Sequence, residues 1–249
     1  NNVVAFQGER GAFSELAARR FFNEDVKVLP CHFFKDAFDA VSSGKASFGV
    51  IPVENALGGT VYDPLDLIKV HSELKVVGET QVRVVHNLIG FPGTKLEDIR
   101  KVYSHPQAIA QCRQFLEREL PWAEAIPFFD TAGAVGFVKE SGDYTRFYIL
   151  EREDNASAFT RGRKKEKASF LFNVSDEPGA LMKVLEVIYQ RGLNMQKLES
   201  RPIPGKPWEY TFYVDALIPD YSQFEETCRE IASQSVGFRL LGVYEDGLV

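Results

Sequence analysis

Rhythm is the feature that most narrows what this chain can fold into. Short β-branched runs alternate with helical patterns: VVAFQG (3–8), GAFSELAARRFF, VKVLPC (26–31), FFKDAFDAVSSG and SFGVIPV (47–53). A strand that returns beside its predecessor through a helix forms a parallel pair, so the alternation predicts a mostly parallel sheet covered by helices, an α/β fold. TVYDPLDLIKV predicts a helix interrupted early by Pro64, and LKVVGETQVRVVHNLIGF (74–91) reads as two apolar runs about a glycine, crossing strands to a second lobe. There the rhythm resumes with IRKVYSH (99–105), the helix PQAIAQCRQFLEREL opened by Pro106, EAIPFFD (124–130), the helix TAGAVGFVKES and the strand YTRFYILERE. Two lobes imply a cleft.

Between Glu151 and Lys167 the text turns polar, charged and aperiodic, which reads as a linker. Beyond it the order is strand (168–174), helix (179–192), strand (194–204), strand (208–217), helix (221–235), strand (237–245). That βαββαβ order is ferredoxin-like, with sheet edges that can pair with another copy.

A net charge of −6 argues against a surface drawn as a whole to nucleic acid or anionic lipid, and the basic run RGRKKEK (161–167) reads as solvated linker. Small molecules are the expected partners. Cys31, Cys112 and Cys228 are odd in number and far apart, and the four histidines lack ligand spacing, so neither disulfides nor a metal is expected. NNVVAFQGE enters a strand directly, without the basic and apolar regions of a leader, and no apolar run is long enough to cross a membrane. A cytoplasmic protein is expected.

The chemistry-bearing residues collect where strands end, the place where open α/β sheets bind ligands. In GVIPVENALGGT, Glu54 and Asn55 could read a polar substrate or move a proton, or simply turn the chain. In YSHPQAIAQC, Ser104 either caps a helix or faces the cleft, and Gln107 and Gln111 share one helical face. His105, before a proline, reads as a turn residue. FQGERGAFSE places Ser14 at a helix start suited to a small anion but matches no nucleotide loop, and DTAGA offers Asp130 or Thr131 as a cap at a further junction. The pair Thr145 and Arg146 stands, oddly for polar residues, at the head of the strand continuing Phe147, Tyr148, Ile149.

Taken together, VAFQGERGAFSE, IPVENALGGTVYDPLDLI, VYSHPQAIAQC, DTAGA, YTRF, EPGALMKVLEVI and ESRPIPGKPWEY resemble the prephenate dehydratase family with a C-terminal ACT regulatory domain, over essentially the whole chain. The T-R-F triplet (Thr145 to Phe147), G-A-L (Gly179 to Leu181) and E-S-R-P (Glu199 to Pro202) are its specific elements. The resemblance implies a two-lobed, type II periplasmic-binding-protein-like catalytic domain over 1–163, with lobes near 1–78 plus 148–163 and 79–147, followed by the ACT domain over 167–249. It implies conversion of prephenate to phenylpyruvate without a cofactor, feedback-inhibited by L-phenylalanine, in a homodimer or homotetramer joined through both domains. Thr145 is then the catalytic residue, supported by Glu54, Asn55, Ser104 and Gln111, with Glu54 the rival proton donor. Arg146, Phe147, Thr131 and Ser14 are the expected substrate contacts, and Asp176, Gly179, Ala180, Leu181, Asn194, Glu199 and Ser200 the L-phenylalanine contacts. A non-catalytic two-lobed sensor of small carboxylates is the competing reading. One departure stands out: the family usually has a further strand and helix before T-R-F, whereas Ser141 and Thr145 are here only four positions apart. Either the chain has lost that element, leaving one cleft wall incomplete, or the numbered sequence omits a segment.

Overall fold

The computed structural model describes residues 2–56, 58–104, 106–127, 144–154 and 166–247, with backbone alone at 107, 207 and 208. The chain divides into two units, Asn1–Glu73 with Thr80–Arg152, and Leu74–Glu79 with Glu153–Val249. Up to Arg152 the elements are β1 (Val3–Gln7), α1 (Phe13–Phe22), β2 (Lys27–Cys31), α2 (Phe34–Ser42), β3 (Phe48–Asn55), β4 (Gly59–Thr60), α3 (Tyr62–Val70), β5 (Leu74–Arg83), β6 (Lys101–Ser104), α4 (Pro106–Gln111), α5 (Arg113–Glu119), β7 (Glu124–Pro127) and β8 (Tyr144–Arg152). The second part holds β9 (Glu166–Asn173), α6 (Ala180–Gln190), β10 (Asn194–Ile203), β11 (Lys206–Ile218), α7 (Phe224–Ser233) and β12 (Gly237–Glu245).

The main sheet has the order β2-β1-β3-β8-β5, with β4 folded back on β3. β1 runs parallel to both neighbours, and Val4, Ala5 and Phe6 have no exposed surface, as a strand covered on both faces requires. α1 turns Ala17 and Ala18 inward, and α2 turns Ala37, Phe38, Ala40 and Val41. These small and apolar residues recur at helical spacing and let the helices lie close on the sheet. After Arg83 the chain leaves this sheet, forms the parallel pair β6 and β7, and returns at β8, which runs antiparallel to β3. Pairing with β3 begins at Thr145, so the strand joins the main sheet at its head rather than near residue 148.

Three local expectations are corrected. Pro64 does not interrupt α3: it is the third residue of the helix, in the first turn, where its missing N–H has no intrahelical partner to lose. The 74–91 stretch makes one strand through Gly78, not two runs about it, because main-chain pairing tolerates a glycine within a strand. The helix expected from Pro106 onward breaks at Cys112 (φ −91°, ψ 3°) into α4 and α5.

The second unit is a four-stranded antiparallel sheet of order β10-β11-β9-β12. Phe170, Phe172, Val184, Ile188, Val214 and Ile231 form its core between sheet and helices. On the sheet's other face Lys167 is wholly enclosed, its Nζ 2.5 Å from Glu79 and 2.9 Å from Asp246. The Gly247 N–H also donates to Glu79, at 3.1 Å. Arg239 donates to the Leu74 carbonyl at 2.9 Å. At Gly242 a Cβ would lie 1.9 Å from the Val76 carbonyl oxygen, so only glycine fits there. No helix among the described residues is long and apolar enough to cross a membrane.

Removing one partner of an enclosed ion pair strands the other charge, whereas replacing both by apolar groups of similar volume is often harmless. Lys167→Met should therefore lower unfolding free energy by about 3–5 kcal/mol in urea titration. The double variant Lys167→Met/Glu79→Leu should recover part of that loss, because Asp246 and the Gly247 N–H also lose a partner in it, and a single variant as stable as the parent would contradict the assignment.

Candidate active site

The pairing of β3 with β8 sets Asn55 opposite Thr145, Glu54 opposite Arg146 and Pro52 opposite Phe147, with a register shift between Pro52 and Glu54. Successive side chains in a strand point to opposite faces, and directly opposed residues share one. The two polar couples therefore lie on opposite faces of the sheet. On one, Asn55 Nδ2 donates to Thr145 Oγ1 at 3.0 Å. On the other, Arg146 Nη2 and Nε donate to Glu54 Oε2 at 2.9 and 3.2 Å, with the guanidinium 5.4 Å from the centre of the Tyr148 ring.

This corrects the grouping of Glu54 and Arg146 with Thr145. Strand alternation turns both away from the threonine, and Arg146, expected to bind a substrate anion, holds the Glu54 carboxylate instead. Phe147 shares Thr145's face but is shut in the core with 1% of its surface exposed, so its side chain anchors the strand.

The direction of the hydrogen bonds around Thr145 follows from one backbone group. Asn55 Oδ1 accepts from the Gly58 N–H at 2.5 Å and from Gln111 Nε2 at 2.9 Å. A backbone N–H can only donate, which fixes the Asn55 oxygen on that side and leaves the amide nitrogen for Thr145. Gln111 gives its nitrogen to Asn55, so its Oε1 is the atom 2.6 Å from His86 Nε2, and that imidazole nitrogen must carry the proton. All the bonds in the chain from His86 through Gln111 and Asn55 thus point toward Thr145. Its Oγ1 accepts, and the hydroxyl's own proton remains to be donated elsewhere. Asn55 both turns the chain, through Gly58, and holds Thr145.

Ser104, the last residue of β6, is buried, and among the described residues its Oγ has no hydrogen-bond partner, so no cap of α4 by it is seen there. It lines a small apolar cavity with His86, Val102, Ala108, Ile109 and Phe115. A buried hydroxyl left unpaired is costly, and such groups occur where a ligand can complete them. α4 is six residues long, too short for much aligned dipole at its start. Ser14 is buried in the first turn of α1 and takes no part in the bonds around Thr145; its neighbour Phe13 meets the His86 ring edge-on at 6.2 Å. His105, Asp130 and Thr131 lie outside the described residues. His86 was not singled out by the sequence: it follows β5 in an aperiodic stretch, and only the fold brings it to Gln111.

The residues expected to hold an amino-acid effector all lie in the second unit. Asp176 and Gly179 stand in the exposed turn before α6, with Gly179 at its N-cap in the left-handed conformation (φ 83°). Ala180 is buried and Leu181 packs against the core. Asn194, Glu199 and Ser200 lie on the edge strand β10.

Comparison with known proteins adds independent findings. A family model described as prephenate dehydratase matches residues 4–159. The bifunctional chorismate mutase/prephenate dehydratase of Aquifex aeolicus is 34% identical over 275 aligned positions, covering 99% of this chain and 74% of that protein. The crystal structure of prephenate dehydratase from Arthrobacter aurescens in complex with L-Phe superposes with a TM-score of 0.85 at 27% identity, covering 98% of this chain and 90% of that one. A structure of GqqA, described as a novel type of quorum quenching acylase, superposes with a TM-score of 0.81 at 29% identity, covering 98% and 97%.

The loop that presents α1 and Phe13 is itself pinned. Glu15 Oε2 accepts the Gly11 N–H at 2.7 Å and Oε1 pairs with Arg19 at 2.6 Å. The Gly11 N–H first, and then Arg19, hold the Glu15 carboxyl below its ordinary value of 4.5. A lowered folded-state value means a contribution fully present above the unfolded value of about 4.5 and lost as pH falls through the folded one. Glu15→Gln should cost about 1–2 kcal/mol at pH 7. It should also flatten the loss of stability on acidification below 4.5, read from thermal melts across that range; parallel curves for the two proteins would contradict the pinning.

Proposed function

The chain belongs to the prephenate dehydratase family and converts prephenate to phenylpyruvate, and on that premise we propose that the Thr145 hydroxyl assists departure of the ring hydroxyl. The bond from the ring to its carboxylate breaks and releases carbon dioxide, and that electron pair enters the ring. The carbon–oxygen bond on the opposite side breaks, and the departing hydroxide takes up one proton to leave as water. The gain of an aromatic ring drives both cleavages, so the protein's task is to align them and to supply a hydrogen bond or a proton.

The observation that carries this reading is the one-way set of hydrogen bonds ending on Thr145 Oγ1. Asn55 orients the threonine, and Gln111 orients Asn55. We assign Ser104, with its unpaired hydroxyl, to a polar atom of the substrate. Ser14, in the first turn of α1, and Thr131, by the family pattern, are assigned to the substrate carboxylates. Glu54 is not chosen as the donor, because Arg146 engages it on the far side of the sheet; the pair braces the strand ends. The acyl-transfer activity named for GqqA would need a base beside the nucleophile. Among the described residues the Thr145 oxygen instead receives an amide N–H, and Ser104 Oγ has no partner. A sensor would need donors for carboxylates but no hydroxyl with a spare proton. On the same reading the first unit is a two-lobed, type II periplasmic-binding-like domain whose cleft opens where β3, β6 and β8 end and begin.

We further assign the second unit as an ACT domain that binds L-phenylalanine and lowers activity, by analogy with the Arthrobacter complex. The N–H groups at the start of α6, reached through Gly179, would hold the effector's carboxylate. Asp176, Ala180, Leu181, Asn194, Glu199 and Ser200 would form the rest of the pocket. Edge strand β10, with Leu198 and Met195 exposed, suits pairing with a second copy in a cytoplasmic dimer or tetramer. Inhibition follows if the effector binds one quaternary state more tightly than the other.

The direct test is turnover of prephenate, followed as phenylpyruvate absorbance in alkali. Thr145→Val should lower kcat by about 10²–10⁴-fold, while melting temperature and prephenate binding stay near those of the parent. Glu54→Gln should cost less than about tenfold. A Thr145→Val enzyme of near-normal rate would remove the threonine from the mechanism.

A further inference from the structure

We propose that His86 is a positioning residue for this reaction, setting through Gln111 and Asn55 which way the Thr145 hydroxyl can point; the inference rests on the role given to Thr145 above. The amides of glutamine and asparagine are nearly symmetric in shape, so packing alone cannot tell their oxygen from their nitrogen. Only partners of fixed character can. Here the Gly58 N–H on Asn55 is such a partner, and the imidazole on Gln111 acts as one in the tautomer that carries its proton on Nε2.

Rotation of the Gln111 amide by half a turn would set its oxygen against Asn55 Oδ1 at the present 2.9 Å separation, two acceptors face to face. Asn55 could relieve the clash only by turning its own amide, which would strand the Gly58 N–H and present an oxygen to Thr145. The threonine would then donate to Asn55, and its proton would no longer be available to a leaving group. An N–H on His86 Nε2 stabilises the productive arrangement by donating to Gln111 Oε1. With the proton on Nδ1 instead, the same imidazole would accept from Gln111 and favour the unproductive sense.

The ring is placed to do this. His86 is buried, its Nε2 lies 2.6 Å from Gln111 Oε1, and its plane stands at 84° to the Phe13 ring. It is therefore held by the start of α1 as well as by the end of α4. Gln111 is the last residue of α4, directly before Cys112, whose N–H still closes the turn on the Ala108 carbonyl, so the backbone that carries the Gln111 side chain is held in place.

His86→Leu and His86→Phe remove the N–H, the first keeping bulk and the second a ring, whereas His86→Gln returns a donor. Steady-state turnover of prephenate should show kcat lowered about tenfold or more in both donorless variants, with KM within about twofold and most of the rate recovered by His86→Gln. In a Gln111→Leu background, which already severs the link, His86→Leu should add less than about a twofold loss. An unchanged kcat, an equal loss in both backgrounds, or an effect on KM alone would overturn the proposal. So would failure of both donorless variants to fold, since His86 would then be a structural residue. Thr145→Val assayed alongside separates the two readings: if it is fully active the role of Thr145 falls, and if it is inactive while His86→Leu is not, only the role of His86 falls.

Discussion

The antiparallel seam between β3 and β8 is what the rest of the structure depends on. It brings Asn55 and Thr145, 90 residues apart, into direct opposition. The chain between them leaves the sheet, builds β6, α4, α5 and β7, and comes back, so closing that excursion has an entropic cost that the seam must offset. The strand's apolar run offsets it: Phe147, Tyr148, Ile149 and Leu150 are all buried. Burying such side chains is worth about 1.5–3 kcal/mol each, and the pairing of Gly49 to Pro52 with Leu150 to Phe147 sets the register. A slip of one residue would turn Thr145 to the face of Glu54 and set Arg146 beside Asn55. The register of the seam thus decides which polar side chain shares a face with Asn55.

Once the register is fixed, the polar groups on the two faces have different fates. Arg146 and Glu54 satisfy each other, and the ring of Tyr148 lies under the guanidinium. On the Thr145 face the network of His86, Gln111, Asn55 and Thr145 holds no carboxylate or guanidinium; it is built from amides, an imidazole and a hydroxyl. Neutral groups are cheaper to bury than ions, yet their dipoles still have a sense, and in surroundings of low polarity each bond polarises the next. Such a set can present an oriented hydroxyl to a dianionic substrate without adding negative charge of its own.

Much of this architecture was legible in the sequence, and the misses have physical causes. The alternation of strand and helix and the later βαββαβ order are periodic signals, and periodicity survives into the fold because each element must bury a face. Gly78 inside an apolar run looks like a break, but β5 passes through it, since strand pairing is a main-chain interaction that the local text does not reveal. Cys112 looks like mid-helix, and the pattern on either side gives no hint that α4 stops there. That strand ends would carry the chemistry was readable from Glu54, Asn55, Ser104 and Thr145. That Glu54 and Arg146 face away from Thr145 was readable too, because neighbours in a strand cannot share a face; treating the T-R-F triplet as one unit hid it. His86 was not readable at all, as its only marks are a partner 25 positions away and an aromatic ring from the first helix.

The alignment with the Aquifex relative spans 275 positions, more than the 249 residues present here, so that relative carries positions without a counterpart in this chain. The groups that fix Thr145 come from elsewhere in the chain: Gly58, Asn55, Gln111 and His86 belong to the β3 turn, α4 and the stretch after β5, and the hydroxyl they orient stands near the head of a strand paired in register with β3. The Thr145 hydroxyl is therefore positioned by the sheet it joins and by the Asn55 amide opposite it.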